Sequence, residues 1–214
     1  MVEIIPAILT DSSVKFKDLI LRTEPYTKRI HIDVADGEFV PNKTITGYDE
    51  LKLIESAAKF DVHLMVKNPE GHLKEWLYTH ADRFILHVES EGDIGKLIED
   101  LHSDHRKVGL ALNPETDPAK IKPFIGKIDF VQFMTVHPGN YGGEFVERVV
   151  GKMLDFHGRY PNVPIMVDGA IHTETARMVI AVGASTLVVG THILNEGNDV
   201  GKAIEELNKI SNNI

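Results

Sequence analysis

The chain has 214 residues, 43% hydrophobic and 26% charged, with a formal net charge of −9 and no cysteine. That length allows a sizeable core in one large domain or two small ones. The acidic balance argues against nucleic acid, whose phosphates recruit surplus Lys and Arg, and the lack of Cys removes disulfides, thiolate metal sites and cysteine nucleophiles.

In chain order, short apolar, β-branched runs recur: "EIIPAIL" (3–9), "RIHIDV" (29–34), "FDVHLMV" (60–66), "RFILHV" (83–88), "KVGLALN" (107–113), "DFVQFMTV" (129–136), "VPIMVDG" (163–169) and "STLVVGT" (185–191). Between most of them lie stretches with helical spacing, at 49–60, 69–81, 92–104, 144–160, 172–183 and 199–211. Strand alternating with helix predicts parallel strands joined by crossovers. About eight such units without a linker or composition shift predict one (β/α)8 TIM barrel domain over residues 1–214. The rival, a doubly wound open sheet, usually has fewer strands and a visible switch point. The opening "MVEIIPAILT" lacks a basic region followed by a long apolar run, so no signal peptide is expected. No apolar run approaches about 20 residues, so no membrane span is expected either. The expectation is a cytoplasmic protein.

In such a barrel the C-terminal strand ends form the active face. The polar residues there are His31 and Asp33, His63, His87 and Glu89, His137, and Asp168. Alternation puts His31 and Asp33 on the same side of their strand, where burial is costly unless the groups are paired or bind a metal. A lone histidine of this kind is ordinarily a hydrogen-bonded core or surface residue. Two imidazoles and two carboxylates from three strands could instead converge on one divalent ion. Zn, Fe(II), Co or Mn suits such ligands better than Ca or Mg. Glycines punctuate the later strand ends: Gly139, Gly142 and Gly143 in "HPGNYGGEF", Gly169 in "VDGA", and Gly190 before Thr191 in "VVGTHI". Turn chemistry alone explains a single glycine, but glycines after the last two strands also fit a phosphate site.

The segments "HIDVADGEFVPNKTITG", "DVHLMV", "MTVHPGNYGGEF", "VDGAI" and "VGASTLVVGT" resemble, in order, the signature segments of the ribulose-phosphate 3-epimerase family. The likeness runs from "IIPAILT" to about residue 194. It implies a (β/α)8 barrel that interconverts D-ribulose 5-phosphate and D-xylulose 5-phosphate, in members that commonly form homo-oligomers. It implies one divalent metal held by His31, Asp33, His63 and Asp168. By the same resemblance, Asp33 takes the proton from the ribulose epimer and Asp168 supplies one to the opposite face of carbon 3. Two acid/base groups suit that reaction, because a lone base would tend to return the proton where it came from. Met65 and Met134 match methionines that wall the family's cavity, although plain packing explains them as well. Phosphate contacts are expected from the glycines above and Thr191.

The chain also departs from the family pattern. Ala7 stands in place of a usual Ser, Ala35 in place of a usual Met, "GNYGGE" for "GFGGQ" and "DGAI" for "DGGV". Tyr141 and Glu144 therefore alter the polarity of the loop that covers the substrate. These changes keep open a second ketose phosphate, such as a 2-ketohexose 6-phosphate, and a catalytically weak sugar-phosphate-binding homologue. Decarboxylase and aldolase barrels that carry Asp-x-Lys-x-x-Asp are disfavoured, because Asp33 is followed by Val34 and Ala35.

Overall fold

Alternating side chains on eight parallel strands divide the apolar residues of this chain between two cores. The structure, a computed structural model, describes residues 2–139 and 142–211. Its strands are β1 (Glu3–Ile8), β2 (Arg29–Ala35), β3 (Lys59–Met65), β4 (Arg83–His87), β5 (Lys107–Leu112), β6 (Phe130–Met134), β7 (Ile165–Asp168) and β8 (Ala184–Val189). Each pairs in parallel with the next, and β8 returns to β1 through Glu3 opposite Thr186. The sheet is therefore a closed (β/α)8 TIM barrel, and the open-sheet rival is gone.

Outward residues such as Ile30, Ile32, Val34, Phe60, Val62 and Leu64 pack under the helices in the larger core. Inward residues Ile5, Ala7, Ile85, Ala111, Phe130, Met166 and Val188 fill the barrel itself. Period-two alternation produces this split directly. The barrel floor is ionic. Buried Asp61 accepts from Arg29 Nη1 at 2.6 Å and from Arg83 Nε at 2.7 Å. Beside it, the Phe130 ring occupies the space where Gly109 has no side chain.

The outer layer holds α1 (Ser13–Thr23), α2 (Tyr48–Lys52), α3 (Pro69–Trp76), α4 (Ile94–Ser103), α5 (Arg148–Arg159), α6 (Thr173–Ala181), a short α7 (Thr191–Leu194) and α8 (Val200–Ser211). The crossovers depart from the sequence expectation in two places: α1 forms where the spacing predicts no helix, and the helix after β2 is cut short. The spacing predicts a helix over 49–60, yet α2 ends at Lys52. There Ser56 donates to Glu24 at 2.5 Å and accepts from the Ala58 N–H, drawing the chain off the helix axis toward β3. Between β5 and β6 the connection is a 3-10 turn over Pro118–Phe124, with Pro123 inside it. Among the described residues, no helix is long and apolar enough to cross a membrane.

Candidate metal and proton-transfer site

Adjacent strands bring the chemistry together by register. Asp33 on β2 sits opposite His63 on β3, and His31 lies two residues back on the same face. Asp168 ends β7, opposite Met134 and Val188. One ligating atom from each of His31, Asp33, His63 and Asp168 lies within 4.8 Å of all the others. His63 Nδ1 is 2.8 Å from Asp33 Oδ1 and 3.5 Å from Asp168 Oδ2. His31 Nε2 is 3.4 Å from the same Asp33 oxygen and 4.0 Å from Asp168 Oδ2. All four residues expected as ligands thus converge.

The two carboxylates are electrostatically unlike. Burial disfavours charge on both. At Asp33 the hydrogen-bonding and positive field of His31 and His63 outweigh burial and hold the carboxyl far below the usual range. At Asp168 burial and the neighbouring Asp33 charge push the carboxyl upward, only partly offset by His31. One acid is thereby held ionised while its neighbour is pushed up to about 7, the asymmetry a proton donor–acceptor pair requires. Burial opposes charge on His31 too, but Asp33, Asp61 and Asp168 outweigh it and push the imidazole up to about 10. His63 goes the other way, down to about 4, with burial the main cause.

His31 supplies the test of whether a metal fits. Its side chain is fully buried, yet neither ring nitrogen has a hydrogen-bond partner. An unpartnered buried nitrogen costs about 1–3 kcal/mol. A cation among the four residues would take one lone pair of His31 and match the two carboxylates. The set has the imidazole and carboxylate composition that Zn, Fe(II), Co and Mn favour.

Above this cluster opens a cavity. Its wall includes Asp33, Asp168, Met65 and Met134, together with Gly139, Gly142, Gly143, Gly169, Gly190 and Thr191. Every residue expected to touch substrate therefore faces one space. Gly169 is obligatory there: its φ is +116°, and a Cβ would come within 2.9 Å of the Val136 backbone nitrogen. Thr135 ties the loops after β6 and β7 together by donating to the Gly169 carbonyl at 2.6 Å.

Ala7 lines the cavity as expected. Ala35 itself does not line it; its methyl is buried against Val40 and against Met65, a residue of the wall. Glu144 is exposed and borders an adjoining hollow with His172. Tyr141 lies outside the described residues. His137 is exposed and bonded to Glu115 at 3.0 Å, away from the cluster. Sequence reasoning passed over Gln132, whose amide donates to Asp168 Oδ2 at 3.3 Å. Its position two residues before Met134 gives it the same inward phase. Asp61, two before His63 on β3, shares that inward phase and is likewise buried.

The family model described as "Ribulose-phosphate 3 epimerase family" matches residues 3–194. Similar curated proteins include the ribulose-phosphate 3-epimerase of Bacillus subtilis, 35% identical over 190 residues, covering 83% of this chain and 84% of that protein. That of Schizosaccharomyces pombe is 34% identical over 171 residues, covering 78% and 75%. Among solved structures, 3-hexulose-6-phosphate synthase from Salmonella typhimurium superposes with a TM-score of 0.74 at 15% identity, covering 99% of each chain. Orotidine 5'-monophosphate decarboxylase from Sulfolobus solfataricus gives 0.68 at 16%, covering 100% and 99%. At those identities the structural likeness concerns the barrel alone.

Proposed function

The chain belongs to the ribulose-phosphate 3-epimerase family, and we propose that it interconverts D-ribulose 5-phosphate and D-xylulose 5-phosphate by two-base proton transfer at carbon 3. The observation that carries this reading is the pair Asp33 and Asp168, close together and biased toward opposite protonation states. Asp33, ionised, removes the carbon 3 proton from the ribulose epimer. Asp168, protonated, delivers a proton from the opposite side. In the reverse direction the roles exchange, as microscopic reversibility demands.

His31, Asp33, His63 and Asp168 would hold the divalent ion. Once bound, it supplies Lewis-acid stabilisation of the negative charge developing on the ketose oxygens, worth several kcal/mol. Gln132 holds Asp168 in place through its amide. Met65 and Met134 exclude water beside the reacting carbon, which strengthens the electrostatic interactions there. The glycine-lined end, at Gly142, Gly143, Gly169 and Gly190 with Thr191, takes the phosphate. Such a substrate is confined by its charge, and the reading places the enzyme in the cytoplasm, working as a homo-oligomer.

The test is turnover with each ketose phosphate. Xylulose 5-phosphate formed from ribulose 5-phosphate, with kcat/KM well above that for a 2-ketohexose 6-phosphate, supports the pentulose reading. The reverse preference would give weight to the space left by Ala7. Binding without turnover on either substrate would overturn the enzymatic reading.

A further inference from the structure

Behind the metal cluster lies a buried chain of groups that the proton transfers do not use. His63 turns Nδ1 toward Asp33 and Asp168 and its other nitrogen, Nε2, toward His87 Nε2 at 2.9 Å. The two rings are 23° from coplanar with centroids 5.0 Å apart, a spacing that suits imidazoles meeting edge to edge across one N–H···N bond. On its far side, His87 Nδ1 is 3.2 Å from Glu89 Oε2. The other Glu89 oxygen accepts the backbone N–H of Asn113 at 2.9 Å. His87 is fully buried, and the Phe39 ring covers it at 4.7 Å.

The directions of these bonds follow from one another. If Nδ1 of His63 is given to the metal, the ring proton sits on Nε2 and donates to His87 Nε2. His87 Nε2 is then an acceptor, so the His87 proton sits on Nδ1. That proton has one acceptor, Glu89 Oε2. A carboxylate only accepts, so the chain can run in a single direction. The other ligand imidazole is backed differently: Asp61 Oδ2 stands 3.9 Å from His31 Nδ1, beyond hydrogen-bonding reach.

We propose that His87 and Glu89 are positioning residues that lock His63 in the tautomer whose Nδ1 lone pair faces the metal. Outer groups of this kind orient ligating imidazoles and raise their basicity, and their loss typically lowers metal affinity about 10–100-fold. The inference rests on the metal-dependent reading above.

Two measurements on the zinc-loaded full chain test it: imidazole ¹⁵N NMR, and zinc affinity by competition with a chelator. The parent is expected to carry the His87 proton on Nδ1 and the His63 proton on Nε2. In Glu89→Gln the Asn113 N–H keeps the side-chain oxygen, which turns the amide NH2 toward His87 Nδ1. The His87 proton then moves to Nε2, against the His63 N–H, and zinc affinity falls by about 10–100-fold. His87→Phe, which removes the acceptor, gives a loss in the same range, and His87→Gln, which keeps one near Nε2, recovers most of it. A merely structural role would not reverse a tautomer. The proposal is overturned if parent His87 carries its proton on Nε2, or if zinc affinity in Glu89→Gln stays within about twofold of the parent. Glu89→Gln alone decides if His87→Phe does not fold. A parent that binds no zinc and turns over no ketose phosphate overturns the metal-dependent reading instead.

Discussion

Replacing Asp61 with Asn should destabilise the barrel floor by an amount that its two arginines allow to be estimated. Asp61 is fully buried and bonded to both Arg29 and Arg83, each only 12% exposed. Arg29 would keep a bidentate contact to Asp82, at 2.6 and 3.1 Å. Arg83 would keep only Glu3, at 3.7 Å, and the face of Phe130, 5.3 Å from its guanidinium. The loss therefore falls on one stranded guanidinium. Breaking a buried pair by removing one partner costs about 3–5 kcal/mol, and the residual contact to Glu3 argues for the lower figure. At about 2–4 °C per kcal/mol for a domain of this size, Tm should fall by roughly 6–12 °C. Urea and thermal unfolding followed by circular dichroism measure both quantities. Adding Arg83→Met to Asp61→Asn should restore a large part of the loss, because the stranded charge is gone. A drop under about 1 kcal/mol, or a double variant worse than the sum of the singles, would refute the reasoning.

Gly109→Ala should cost about 1–3 kcal/mol, since its Cβ would overlap the Phe130 ring; Phe130→Leu in that background should recover part of it in the same unfolding assay. Asp36 accepts the N–H groups of Glu38 and Phe39 at 2.8 Å and of Lys67 at 2.7 Å. Burial opposes its charge, but these bonds outweigh burial and lower its pKa. A carboxyl depressed in the folded state contributes stability above its unfolded pKa of about 3.9 and loses it as pH falls through the folded value. The gap between the parent and Asp36→Ala, about 1 kcal/mol near neutrality, should therefore narrow steadily in urea titrations below about pH 4. Stripping metal with a chelator should abolish turnover, and adding Zn or Mn to about 100 times Kd should raise Tm by about 5–11 °C in calorimetry. A Tm indifferent to metal would contradict the assignment of His31 as a ligand.

The barrel and its polar rim were legible in the sequence because two simple periods carry them. Alternation in "RIHIDV" and "FDVHLMV" sets the phase of His31, Asp33 and His63, and closure only brings Asp168 to meet them. The opposed behaviour of Asp33 and Asp168 was not legible, because it arises from which imidazoles each carboxylate meets across strands. His87 and Glu89 stood out as polar strand-end residues, but their link to His63 depends on a distance between β3 and β4 that no spacing reports. The early stop of α2 has the same origin, since Ser56 is held by Glu24, 32 residues away. Ala35 lies in phase with Asp33 and packs against Met65, which lines the cavity, so its place beside the wall follows from the same alternation.

The central claim is that two carboxylates act on opposite faces of carbon 3, and partial exchange in heavy water tests it most directly. Metal-saturated Asp168→Asn should still wash the carbon 3 hydrogen of ribulose 5-phosphate into solvent through Asp33, while forming almost no xylulose 5-phosphate. Asp33→Asn should show the mirror result, exchanging xylulose 5-phosphate only. If either variant exchanges both epimers and still interconverts them, one base suffices and the account is wrong.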